Sequence, residues 1–138
     1  DKYSKNVLEA CASNKNPMED LADYIARVKV VQTLDNQALL ESANRVIRIL
    51  KENSKSQVNK DLFKEASEGM LYREIQSVDE NADYAAYLEQ LISINPAVEK
   101  FFDEVLVMDN DEKVKENRLA LLTLLKKKYE VLTDFSKL

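Results

Sequence analysis

The sequence contains no histidine and no tryptophan, and only one cysteine, one glycine and two prolines among its 138 residues. Without histidine, zinc sites of the ordinary kind and Ser-His or Cys-His catalytic pairs lack their central part. Cys11 has no second cysteine to pair with, so nothing points to an oxidising compartment. A single glycine cannot build a Gly-rich phosphate cradle. So few glycines and prolines also mean few turns and long elements, and with 45% apolar and 33% charged residues the expected fold is all-α rather than a large β-sheet. No apolar run approaches the roughly 18 to 20 residues of a membrane span, and the N-terminus lacks a signal peptide's layout, which leads to the expectation of a soluble, cytoplasmic domain. Lys and Arg number 20 against 25 Asp and Glu, a net charge of −5. Phosphate affinity is mostly a Lys/Arg property, so any contact with RNA must use a local basic patch.

At this length one core is expected, and residues 1–138 read as a single compact bundle of about six to seven helices. The run from Phe101 to Leu138 organises it: two apolar helices joined by a short acidic turn form a hairpin for the rest to close around. Residues 4–12 form a short helical pattern with Val7, Leu8 and Cys11 on one side. Asn16-Pro17-Met18-Glu19 reads as an N-cap, a proline at the first helical position and a glutamate reaching back. Met18, Leu21, Ile25, Val28 and Val31 or Gln32 follow as a stripe, ending near Leu34. Asp35 or Asn36 opens a third helix with Leu39, Leu40, Ala43, Val46, Ile47 and Leu50 facing inward.

Residues 53–60 are polar, aperiodic and expected to be a flexible loop. From Asp61, the residues Leu62, Phe63, Ala66, Met70, Leu71 and Ile75 make the next stripe. Gly69 interrupts it at a cost of about 1 kcal/mol against Ala, for which close helix packing is the simplest reason. A fifth helix is predicted from about Asn81 to Ile94. Asn95-Pro96 then starts a sixth, which ends around Met108 with Phe102, Val105 and Leu106 in the core. Phe101 lies about 100° away, against a neighbour or at the surface. Asp109 and Glu112 open the last helix, whose Val114, Leu121, Leu122, Leu125, Tyr129 and Leu132 face inward.

Few residues carry chemistry. An EF-hand loop starting at Asp109 would place Val114 where glycine is required and Ala120 where the bidentate glutamate belongs, so Asp103, Glu104, Asp109, Asp111 and Glu112 read as caps and solvated charge. Cys11 could act as a nucleophile only beside an activating base, and reads as a packing residue. Tyr72, Tyr84, Tyr87 and Tyr129 sit at helical spacing and read as core or rim rather than stacking platforms. Against the acidic background two basic clusters stand out. Asn44, Arg45, Arg48 and Lys51, with Lys55 beyond, share one face of the third helix and its exit. Lys126, Lys127 and Lys128 form the other. As a bare pattern each is a solvated face.

The residues from Val98 onward do more than fit a hairpin. Phe-Phe-Asp-x-Val-x-Val-Met at Phe101 to Met108, the acidic turn, and Asn-Arg-Leu-x-Leu-Leu at Asn117 to Leu122 resemble, in that order, the C-terminal end of the β subunit of the bacterial two-subunit glycyl-tRNA synthetases. The third helix is similar to that family's Lys-Arg-Val-x-Asn-Ile-Leu pattern at Arg45, Val46, Ile49 and Leu50, with Asn44 for the usual Lys and Arg48 for the usual Asn. The resemblance implies a DALR-type anticodon-binding domain, a fragment from the C-terminal end of a longer subunit. It implies glycine tRNA and the α subunit as partners in a hetero-oligomer of two α and two β chains. ATP would be used by the holoenzyme at a site on the α subunit, with no cofactor, metal or catalytic residue in this domain. Anticodon bases can be splayed out, stacked and read on their edges. Asn44, Arg45, Arg48 and Lys51 are the first candidates for that contact, and Lys126, Lys127 and Lys128, a separate patch near the C-terminus, are others. Arg118 is a further candidate, or else braces the hairpin. The alternative is a non-catalytic helical scaffold for protein contacts.

Overall fold

The computed structural model describes residues 3–14 and 20–138. Among these, six α-helices and two single 3-10 turns make up the regular structure, with no strand: α1 Lys5–Asn14, α2 Leu21–Gln32, α3 Gln37–Ile49, α4 Ala66–Ser77, α5 Tyr84–Glu104 and α6 Glu112–Leu132. The all-helical expectation holds. The Asn16-Pro17 start lies outside the described residues. As described, α2 begins after Asp20, whose carboxylate accepts the Asp23 N–H at 3.0 Å.

The hairpin of α5 and α6 supplies the centre, and α3 and α4 each pack on both of its helices. The largest correction concerns Asn95-Pro96. It opens no new helix; Pro96 sits inside one helix of 21 residues. Tyr87, Leu91, Ile94, Val98, Phe101 and Val105, all buried, follow each other in alternating steps of four and three, so one apolar face runs through the proline. Burial along that face outweighs the hydrogen bond that Pro96 cannot donate to the Ile92 carbonyl. Asn95 is itself buried and, instead of capping, donates to Glu99 at 2.9 Å.

The same periodicity reverses the expected roles of the phenylalanines. Phe101 is wholly buried, and Phe102 is half-buried with its ring edge-on to Phe101 at 5.5 Å. The helix also stops earlier than predicted, at Glu104. Val105 and Val107 are buried while Leu106, at 70% exposed, and Met108 face out, the period-two alternation of an extended segment.

Three other expectations shift. In α2 the inward face is Arg27, Val28 and Val31, while Leu21 is 61% exposed and Ile25 is exposed as well. The face is rotated because Arg27 finds partners inside: it donates to the Cys11 carbonyl at 2.7 Å and to Asp23 at 2.9 Å, and Asp23 accepts the Tyr84 hydroxyl. The fourth helix does not begin at Asp61. A 3-10 turn at Lys60–Leu62 is followed by extended backbone at Phe63 and by Glu65, the N-cap of α4. Residues 53–59 are irregular as expected, while Lys60 opens the 3-10 turn, and the segment is fastened to α6. Ser54 N–H donates to Thr123 Oγ1 at 3.0 Å, and Asn59 and Asn117 exchange two hydrogen bonds, at 2.7 and 3.0 Å.

Candidate nucleic-acid interface

The first turn of α3 is held by Asn36, whose side chain accepts the Leu39 N–H at 2.9 Å. Leu39, Ala43 and Val46 are then buried. With that face fixed inward, Arg45 and Arg48 are carried to the outside, both exposed. They line a groove of about 430 Å³ between α3 and α5, together with Glu41, Glu99, Phe102 and Asp103. The Arg45 guanidinium lies over the Phe102 ring at 4.4 Å from its centroid, a cation–π distance. Two planar groups, one cationic and one aromatic, are therefore stacked in a groove whose rim also bears three carboxylates.

This mixture sets what the groove can bind. Arginine offers a planar fork of donors and carboxylates offer acceptors only, so together they match both kinds of atom on a nucleobase edge. A phosphate would find the arginines attractive and the carboxylates repulsive. The groove suits a base.

Of the other sequence-based candidates, Asn44 and Lys51 share the outer part of α3 and its exit but do not line this groove. Three consecutive lysines on α6 diverge by about 100° each and do not form one patch. Lys126 donates to Asn53 at 3.0 Å, Lys128 pairs with Glu80 at 2.5 Å, and Lys127 is exposed in a separate groove beside the 53–58 loop. Arg118 is inside the protein, 3% exposed, and is bound by Glu68, the Leu106 carbonyl and Asp109. It is a brace of the hairpin and presents no donor to a ligand.

Three titratable groups outside the groove are explained by packing. Burial pushes the Cys11 thiol up, and Thr133 Oγ1 lies 3.4 Å from its sulfur, so no activated thiolate is present. Asp111 caps α6 by accepting the Lys113 N–H. Asp109 accepts the Asp111 N–H at 2.9 Å and faces Lys64 and Arg118. These contacts hold its carboxyl below the usual range, the backbone hydrogen bond foremost.

Sequence reasoning misses Phe102, Glu41 and Glu99 as parts of a site, and reads Asp103 as cap or solvated charge. The four-three periodicity of α5 is the signal that could have found Phe102, because it sends Phe101 inward and leaves the next residue to line the surface.

Residues 37–133 match the family described as the DALR anticodon binding domain. The chain belongs to this family. Its DALR region begins with α3 and ends just after α6, so the α3–α5 groove lies entirely within it. The chain is also similar to curated proteins named glycine–tRNA ligase beta subunit. That of Geobacter sp. (strain M21) is 34% identical over 149 residues, covering 100% of this chain and 21% of the relative. That of Geotalea daltonii is 36% identical over 147 residues, with the same coverage. That of Streptococcus uberis is 34% identical over 114 residues, 82% of this chain and 17% of the relative. The DALR chain thus spans about a fifth of the length of the curated relatives it matches. No helix among its described residues is long and apolar enough to cross a membrane.

Proposed function

We propose that this domain receives the anticodon arm of glycine tRNA and that the α3–α5 groove reads one anticodon base. The observation that carries the proposal is Arg45 stacked on Phe102 within a groove that also offers carboxylates, in a chain of the anticodon-binding family. A single-stranded base presents a flat face and a patterned edge. The flat face slides against the Phe102–Arg45 pair, and the edge meets Arg48 and the carboxylates of Glu41, Glu99 or Asp103. Arg45 and Arg48 supply donors, and the carboxylates accept from exocyclic amino groups.

In this proposal the domain acts as part of a glycine–tRNA ligase beta subunit, in the cytoplasm. The α subunit holds the site that activates glycine with ATP, in an assembly of two α and two β chains. The domain contributes recognition and no chemical step, and needs no cofactor of its own.

The test is a titration of the domain with glycine tRNA and with the same tRNA carrying a changed anticodon, at low and at moderate salt. Preference for the native anticodon, lost in Arg45→Ala/Arg48→Ala with helicity unchanged by circular dichroism, is the expected result. Equal affinity for both tRNAs, or discrimination that survives the double substitution, would remove the reading site from this groove. Absence of binding at low salt would favour a scaffold for protein contacts.

A further inference from the structure

A second surface has the opposite composition. Tyr72, on α4, stands half-buried with its ring edge-on to Phe63 at 5.9 Å and with Lys60 Nζ 5.8 Å from its centroid. It lines two grooves at once. One, of about 320 Å³, contains Lys60, Phe63, Gly69 and Arg73. The other, of about 720 Å³, lies between the 53–58 loop and α6 and contains Lys55, Leu124 and Lys127. The two grooves that share Tyr72 are therefore lined by four cations, and no carboxylate lines either groove. In a chain of net charge −5 this is a local inversion of sign. None of Lys55, Lys60, Arg73 and Lys127 enters an ion pair among the described residues, so their charge is not spent within the fold.

The backbone that carries two of these cations is tethered to α6. The hydrogen bonds from Ser54 to Thr123 and between Asn59 and Asn117 pin both ends of the loop that carries Lys55 and leads to Lys60. Cations gathered beside an aromatic platform are the arrangement that holds a single strand, with phosphates on the charges and a base on the ring. The α3–α5 groove, rimmed by three carboxylates, is unsuited to phosphate.

We propose that the Tyr72 surface is a second RNA contact, which takes an unpaired stretch of RNA by its backbone on Lys55, Lys60, Arg73 and Lys127, stacks one base on Tyr72 and reads no sequence. This deepens the RNA-binding function proposed above and rests on it. Affinity would come mainly from this surface, and anticodon preference from the α3–α5 groove.

The experiment is fluorescence anisotropy of the 138-residue chain with a labelled oligouridine of about twelve nucleotides, within single-strand site sizes, at several salt concentrations. Glycine tRNA and its changed-anticodon form are titrated in parallel. Lys60→Ala/Arg73→Ala, both at exposed positions, should weaken oligouridine binding about tenfold or more. It should also flatten the dependence of log affinity on log salt by roughly 1.4, two charges' worth for a single strand. Tyr72→Leu should weaken it roughly fivefold or more with the salt slope unchanged. Both tRNAs should lose affinity in proportion, leaving their ratio intact, whereas Lys5→Ala, at an exposed position on α1 outside all three grooves, should leave oligouridine binding as it was. Oligouridine binding that is absent, or indifferent to Lys60→Ala/Arg73→Ala, would overturn the proposal. So would displacement by polyglutamate as effective as by RNA, which would assign the surface to an acidic protein partner. Oligouridine binding retained without anticodon discrimination refutes the α3–α5 reading alone; the reverse pattern refutes this one alone.

Discussion

Glu68 on α4 and Arg118 on α6 meet at 2.9 Å, 50 residues apart in the chain, with side chains 0% and 3% exposed. The other carboxylate oxygen of Glu68 accepts the N–H groups of Lys64 and Glu65 at 2.8 Å each, closing the start of α4. Arg118 in turn donates to the Leu106 carbonyl at 2.5 Å, in the segment that joins α5 to α6. One ion pair thus joins the start of α4, the α5–α6 connection and α6. Replacing Arg118 by Met leaves a buried carboxylate without its cation, which costs about 3–5 kcal/mol. The midpoint of urea unfolding should fall accordingly at constant m-value. Arg118→Met/Glu68→Leu should recover part of the loss. Where Arg118→Met is still folded, RNA affinity should be unchanged, because the arginine faces no ligand.

Gly69 lies inside α4, where glycine costs a helix about 0.5–1 kcal/mol relative to alanine. Close packing does not require it. A Cβ built there would have Phe63 Cδ2 as its nearest neighbour at 3.7 Å, an ordinary van der Waals contact. Gly69→Ala should therefore stabilise the domain by about 0.5–1 kcal/mol in a urea titration. A loss of stability would mean that Phe63 cannot accept the added methyl group.

What the sequence made legible follows from where apolar periodicity was the dominant force. The stripe on α3 and the inward face of α6 were readable because Leu39, Ala43, Val46, Leu121, Leu122, Leu125 and Tyr129 recur at helical spacing, and all are buried in one apolar cluster. Reading failed where a local signal competed with a longer one. Asn95-Pro96 has the form of a helix start, yet the burial of Leu91, Ile94, Val98 and Phe101 on one line carries the helix through it. Arg27 was hidden for a different reason: a charged residue enters a core only when its partners are there, and the Cys11 carbonyl comes from another helix. Arg45 and Arg48 were visible on one face. Their pairing with Phe102 and three carboxylates was not, because α3 and α5 are joined only by the tertiary fold.

Stability should fall at both ends of the pH scale for identifiable reasons. Asp109 has a folded pKa lowered by the Asp111 N–H, then by the charges of Lys64 and Arg118. Its contribution is present above the unfolded carboxylate value of about 3.9 and is lost as pH falls through the lower folded value. Asp109→Asn should flatten that acid limb. Tyr84 moves the other way. Burial foremost, then its hydrogen bond to Asp23 and the charge of that carboxylate, push its hydroxyl up to about 12. Its contribution is full below the unfolded value of about 10 and is lost as pH rises through about 12. Tyr84→Phe should reduce the alkaline dependence, read as the unfolding midpoint against pH, while Tyr87 and Tyr129, whose hydroxyls burial also pushes up, retain the rest.

The contact between Arg45 and Phe102 permits a substitution that separates charge from shape. Arginine presents a flat guanidinium that stacks on a ring and offers donors in a fixed fork, whereas lysine keeps the charge but is a compact, strongly hydrated ammonium. If the pair serves to sandwich and read a base, Arg45→Lys should leave the salt dependence of tRNA binding unchanged, since the number of cations is the same. It should still reduce the preference for the native anticodon about tenfold, the loss expected for one good bidentate contact of about 1–3 kcal/mol. If Arg45 acted only as a cation near phosphate, Arg45→Lys would behave as the unsubstituted domain and Arg45→Ala would weaken both tRNAs alike. Phe102→Leu provides the complement: it removes the ring from a half-buried position while retaining apolar bulk, and should reproduce the loss of preference without altering the salt slope. Preserved discrimination in both Arg45→Lys and Phe102→Leu would leave the stacked pair with a packing role only.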